Sequence, residues 1–130
     1  MKKEIIYTSK AAPPGGSYSQ AIRAGNFVFV SGCTGVDPST GKVVSPGEIR
    51  PQTRQTIANI KAILEAAGSS LENVVKVTAF IDDLNQFQDF NEEYTKFFKE
   101  GGLPARSTVE IGKFLNGMRV EIEVIAIIPD

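Results

Sequence analysis

The chain has 130 residues, 42% apolar and 22% charged, with a formal net charge of −1, one cysteine and neither histidine nor tryptophan. That balance fits one folded domain over residues 1–130 with a real core. It excludes a disordered chain, and it lacks the basic excess through which nucleic-acid binders neutralise phosphate. Without histidine, Ser-His-Asp and Cys-His catalysis and the usual zinc sites are excluded, and a single cysteine closes no internal disulfide, as suits a reducing compartment.

Lys3 to Thr8 alternates weakly and reads as a short edge strand. The basic start is followed by no long apolar run, so the expectation is a cytoplasmic protein without signal peptide or membrane span. Ala11 to Ser17, with two prolines and two glycines, is a loop. Ser19 to Arg23 and Phe27 to Ser31 flank Ala24-Gly25-Asn26 and predict a β-hairpin. Asp37 to Gly41 predicts a turn, and Ser45-Pro46-Gly47 a second break. Pro51 to Ala67 is the clearest helix, with Ile57, Ile60, Leu64 and Ala67 on one stripe and Gly68 as a left-handed stop.

Val74 to Ile81 predicts a strand with Val75, Val77, Ala79 and Ile81 on one face and Val74, Lys76, Thr78 and Phe80 on the other. Asn85 to Lys99 predicts a second helix whose stripe of Phe87, Phe90, Tyr94, Phe97 and Phe98 reads as core, ended by Gly101-Gly102. Arg106 to Ile111 and Met118 to Ile128 are the last strands, and Asn116-Gly117 between them signals a hairpin. The final strand puts Val120, Ile122, Val124, Ala126 and Ile128 on one face and Arg119, Glu121, Glu123, Ile125 and Ile127 on the other.

Two helices and about six strands predict an α+β fold, one mixed sheet with both helices packed on one face. The right-handed crossover through the second helix makes its flanking strands parallel. The other face keeps Ile125 and Ile127, so self-association is expected to cover it. Glu121 and Glu123 share that face and read either as a solvated strand end or as one wall of a polar cleft near Arg106.

Arg106 reads either as a surface ion-pair partner or as an anchor for a small carboxylate, which a guanidinium grips with two prongs. Pro104 stiffens the chain ahead of it. Ser31 reads as a strand-end hydroxyl or a pocket residue, Gly32 as a point of close backbone approach, and Cys33 as a small buried hydrophobe. Asp82, Asp83, Asp89, Glu92 and Glu93 read as helix capping and a solvated face rather than a metal site. Tyr18 reads as a loop residue or a lid.

Seven segments in order resemble the reactive-intermediate deaminase family, also called Rid or YjgF: Gly16 to Ala21, Phe29 to Gly32, Gln52 to Gly68, Val77 to Leu84, Phe90 to Tyr94, Pro104 to Ser107 and Val120 to Ala126. Pro104-Ala105-Arg106-Ser107 and Val120-Glu121-Ile122-Glu123 are the specific ones. The resemblance implies a chorismate-mutase-like fold and a homotrimer with clefts between subunits. It implies hydrolysis of reactive 2-enamines and 2-imines (2-aminoacrylate, 2-iminopropionate, 2-iminobutanoate) to 2-keto acids and ammonia, with neither cofactor nor metal.

By the same resemblance Arg106 binds the substrate carboxylate and Glu121 handles the attacking water. Tyr18, Ser31 and Asn91 line the pocket, Gly32 offers its backbone, and Thr108 stands where the family often has cysteine. Cys33 replaces a frequent glutamine. The expected partners are a small 2-imino or 2-enamino acid and further copies of the chain, not nucleic acid or membrane. Two rival readings are a non-catalytic trimeric module that binds small carboxylates and an RNA-binding or RNA-cleaving protein. The charge balance and absent histidine weigh against the second.

Overall fold

In the computed structural model, which describes residues 1–130, the elements run β1 (Lys3–Ile6), β2 (Ala21–Ala24), β3 (Phe27–Cys33), β4 (Val36–Asp37), β5 (Lys42–Val43), α1 (Ile49–Ala66), β6 (Val74–Ile81), α2 (Phe87–Tyr94), β7 (Ala105–Glu110) and β8 (Val120–Ile127). Six strands form one sheet in the order β1-β2-β3-β8-β6-β7, and β4 and β5 pair separately. Only the β6–β7 pair is parallel, joined through α2 as the crossover rule requires. No helix is long and apolar enough to cross a membrane.

Both helices lie on one face of the sheet. Ile57, Ile60 and Leu64 of α1 and Phe90 of α2 pack on Val28, Val77, Ala79, Ile81, Ile122 and Ala126, all essentially without exposure. Truncating any one of the larger aliphatics to alanine would cost about 2–5 kcal/mol. Gly68 takes φ +85 and ends α1 as its position predicts.

A second, ionic clamp joins the helices. Glu93 of α2, 2% exposed, accepts hydrogen bonds from Arg50 and Arg54 of α1 and from Lys96. Burial alone would raise its pKa, but the hydrogen bonds from Arg54, Lys96 and Arg50 outweigh it and bring the pKa down to about 2.

Four expectations need correction. The Asn116-Gly117 turn forms, with φ of 58 and 74, but it closes no hairpin, because β6 lies between β7 and β8. The Gly117 carbonyl instead accepts from Gly47 N and from the Gln52 side chain, which tie the turn to the α1 start. The second helix is shorter than the aromatic stripe suggests. A 3-10 turn at Leu84–Gln86 precedes α2, and beyond Tyr94 the chain continues as tightened turns.

In β6 one extra residue at Val75 breaks the alternation. Val74 pairs with Ala126 and Lys76 with Ile125, so Val74 turns inward and Val75 outward. Finally, the acidic stretch is not simply a solvated face. Asp83 caps its turn by accepting from Asn85 N, whereas Asp89, Glu92 and buried Glu93 all meet Arg50.

The face without helices carries continuous apolar rows. Ile5, Ile22, Phe29 and Ile125 stand in register across β1, β2, β3 and β8, and Phe27 lies opposite Ile127 in the adjoining row. Phe27 and Phe29 are nearly half exposed.

Candidate functional site

A β-bulge builds the first half of the site. Between Val30↔Val124 and Cys33↔Ile122, β3 spends three steps against two on β8, so Ser31-Gly32 carries one residue more than its partner strand. Bulges re-aim side chains, and this one turns Ser31 and Gly32 into a cleft of about 650 Å³. Tyr18, Ser31, Gly32, Cys33, Asn59 and Glu121 are among the residues lining it. A Cβ on Gly32 would collide with the Glu121 carboxylate and lie 2.8 Å from its Cδ. Gly32 is therefore the residue that gives this carboxyl room.

Burial first, and the neighbouring Glu123 charge second, raise the Glu121 carboxyl above its ordinary pKa. Burial and then Glu121 push the Cys33 thiol up to about 12, so it stays protonated and un-nucleophilic at neutral pH. Its S–H points back to the Ser31 carbonyl at 3.4 Å.

Main-chain contacts fix the polar lining. Ser31 Oγ donates to the Ser19 carbonyl at 2.6 Å, and Gly15 N–H donates to the Tyr18 hydroxyl at 3.0 Å. Gln20, buried, holds the loop that carries Tyr18 by bonding Thr8 N, Thr8 O and Ala12 O. Asn59 donates to the Thr34 and Val36 carbonyls behind the bulge. Neither Gln20 nor Asn59 was legible as a site residue. Their only sequence signal is a polar side chain where the strand or helix pattern calls for an apolar one.

Arg106 stands elsewhere. It pairs with buried Val77, so its side chain lies on the helix-covered face. The guanidinium carbon sits 4.6 Å from the Tyr94 ring centroid, 5.5 Å from Phe87 and 5.9 Å from Phe90. Nη1 donates to Asn91 Oδ1 at 2.7 Å. Arg50, Arg54 and Arg119 all reach carboxylates, whereas Arg106 has none within ion-pair distance. A cation stacked on aromatic rings keeps its in-plane N–H edge for another anion. The aromatic stripe is thus core on one side and the wall of a guanidinium seat on the other.

Thr108 follows on the same face of β7, and its hydroxyl is buried without a partner, as is that of Tyr94. Burial raises the Tyr94 pKa, and the Arg106 charge pulls against it. Thr108 can still meet a ligand through its main chain. Ile111 N donates to Ile81 O, so by the two-residue period of a parallel ladder Arg106 and Thr108 turn their N–H and C=O groups to the open edge.

The structure thus gathers Tyr18, Ser31, Gly32 and Glu121 in one cleft and Arg106, Asn91 and Thr108 at the β7–α2 edge, and one chain does not bring the two groups together. No cluster of three or more carboxylate or thiol groups forms a metal cage.

The profile of the family described as endoribonuclease L-PSP matches residues 8–128. The chain belongs to this family, the Rid/YjgF family. A RutC family protein of Pyrococcus abyssi is 51% identical over 126 residues, covering 97% of this chain and 98% of that protein. The rat 2-iminobutanoate/2-iminopropanoate deaminase is 42% identical over 125 residues, covering 96% and 90%. The crystal structure of RidA from an Antarctic Psychrobacter matches with a TM-score of 0.91 at 41% identity, over 96% of this chain and 99% of that one. The α+β architecture is therefore that of the Rid proteins.

Proposed function

We propose that this chain hydrolyses reactive 2-imino acids and their 2-enamine tautomers to 2-keto acids and ammonia, in clefts completed between subunits of a homotrimer. The observation that carries the reading is the split site. The Glu121 carboxyl that lines the cleft and an anion-seeking arginine lie on opposite faces of one sheet. The uncovered apolar rows through Phe29 and Ile125 give a second copy a surface to pack on. The activity named for the rat relative supports the substrate class.

Arg106 of one subunit, held flat by Tyr94 and Asn91, grips the substrate carboxylate with two prongs. The iminium carbon then lies against the neighbouring subunit's cleft. Glu121 orients a water and takes its proton as the oxygen bonds to C2, giving a carbinolamine. The proton returns to nitrogen, Glu121 takes the C2 hydroxyl proton as the C–N bond breaks, and ammonia leaves with a ketone at C2; that second proton then passes to ammonia to give ammonium. An enamine enters by protonation at C3. An iminium carbon is already electrophilic, so positioning and one carboxylate suffice without a cofactor. The unpaired cysteine suits a reducing compartment such as the cytoplasm.

The test is loss of an imine generated in situ by an amino-acid oxidase, followed with and without the purified chain. Faster keto-acid and ammonium release supports the deaminase. An unchanged rate together with saturable keto-acid binding identifies a carboxylate-binding module instead. Sedimentation at the 14.0 kDa of one chain would remove the shared cleft.

A further inference from the structure

The hydroxyl of Ser31 has one proton, and the Ser19 carbonyl takes it at 2.6 Å. What remains toward the cleft is a pair of oxygen lone pairs. The next residue, Gly32, lies under the Glu121 carboxylate, a second group that only accepts when ionised. Three side-chain donors around it are engaged elsewhere: Asn59 by the Thr34 and Val36 carbonyls, Gln20 by the Thr8 and Ala12 carbonyls, and Cys33 by the Ser31 carbonyl. Tyr18 has the reverse polarity. Its oxygen takes the Gly15 N–H at 3.0 Å, which frees its own proton for an oxygen.

We propose that Ser31 is a specificity-determining acceptor that distinguishes the nitrogen-bearing substrate from the oxygen-bearing product. The inference rests on the imine-hydrolysis reading. In that reaction the C2 substituent changes from an iminium, which only donates hydrogen bonds, to a ketone, which only accepts them. An acceptor pair made of Ser31 and Glu121 holds the former and faces the latter lone pair to lone pair. The same corner that binds substrate therefore weakens the hold on product at the moment C–N cleavage completes. Tyr18 offers its proton to the oxygen that arrives with water.

The experiment is calorimetric titration of the wild-type assembly, Ser31→Ala and Ser31→Thr with L-2-aminobutanoate and 2-oxobutanoate, near-isosteres that differ at C2, alongside imine turnover and product inhibition. Ser31→Ala should weaken the amino acid by roughly tenfold while 2-oxobutanoate stays within about twofold or tightens, as expected for one lost hydrogen bond to a charged donor. In turnover the variant should lose kcat/KM for 2-iminobutanoate and gain susceptibility to product inhibition. Ser31→Thr, which keeps the hydroxyl, should retain the preference for the amino acid over 2-oxobutanoate that Ser31→Ala loses. Equal weakening of both ligands in Ser31→Ala would overturn the inference alone, showing that the serine merely holds the Ser19 loop. Wild-type protein that neither binds these acids nor hydrolyses the imine removes the inference together with the reading beneath it.

Discussion

Arg106 and Glu121 face away from each other across one sheet. Arg106 aligns with inward-facing Val77, whereas Glu121 alternates with the buried Val120 and Ile122 and so lies on the face without helices. A residue's face is fixed by its strand register, and side-chain flexibility does not carry a guanidinium through a packed sheet. If both act on one substrate, two chains must supply them.

Subunit mixing tests this. Arg106→Ala and Glu121→Ala proteins should each be nearly inactive. When the two are unfolded together in equal amounts and refolded, random assembly should give both intact residues in about a quarter of the clefts. Activity should return to about that fraction of wild type. Mixtures that stay inactive would show that each chain uses its own pair or that the pair does not cooperate.

The arginine's geometry matters beyond its charge. Arg106→Lys keeps the cation but loses the planar fork, the stacking on Tyr94 and the Asn91 bond in its present form. It should lower kcat/KM by about 10–100-fold, and Arg106→Ala by more, chiefly through KM because the carboxylate is bound equally before and in the transition state. Steady-state kinetics on 2-iminobutanoate reads the split, and a Lys variant with unaltered KM would contradict the two-pronged grip.

The alternating strand β8 was legible because its parity is unbroken from Val120 to Ile127, and the α1 stripe because Ile57, Ile60 and Leu64 recur at helical spacing. Val74 and Val75 exchanged faces because a bulge adds one residue, which a sequence of valines cannot signal. Asn116 and Gly117 announced their own backbone angles but not which strand lies beyond, since turn chemistry is local and strand order is not. The roles of the site residues follow from the family resemblance of the segments that hold them. That Tyr18, Ser31, Gly32 and Glu121 form one group and Arg106, Asn91 and Thr108 another depends on relative register between distant strands, and no single strand's pattern contains that.

Gly32→Ala separates the fold from the site. The added methyl meets the far end of the Glu121 side chain, which can swing, so the protein should fold with little change in melting temperature. Glu121 would leave its position over the bulge, and kcat should drop by roughly 100-fold, in the range attributed to a displaced general base. An alanine variant with full activity would show that the carboxylate's location is unimportant.

The pH dependence follows from the carboxyl's environment. Glu121 must be ionised to accept the water's proton, so activity should rise with pH through its raised pKa. Glu123→Gln removes the like charge that contributes to this rise, which should move the acid limb of kcat/KM to lower pH. For stability the sign is opposite. A carboxyl whose folded pKa is raised favours the fold below its unfolded pKa, and this contribution fades as pH climbs through the folded value. Glu121→Gln should thus gain stability relative to wild type on going from acid to neutral pH, as measured by thermal melts across that range.

Thr108 gives the sharpest division between side chain and main chain. Its hydroxyl is buried without a partner, a cost of about 1–3 kcal/mol that an isosteric methyl would not carry. Its N–H and C=O, by the ladder period, face the open edge beside Arg106. Thr108→Val should therefore melt a few degrees higher, by about 1 kcal/mol, while KM for 2-iminobutanoate stays unchanged. A variant that is more stable but binds substrate poorly would mean that the hydroxyl turns outward to the ligand in the assembled protein, and the main-chain contact would then have to be abandoned.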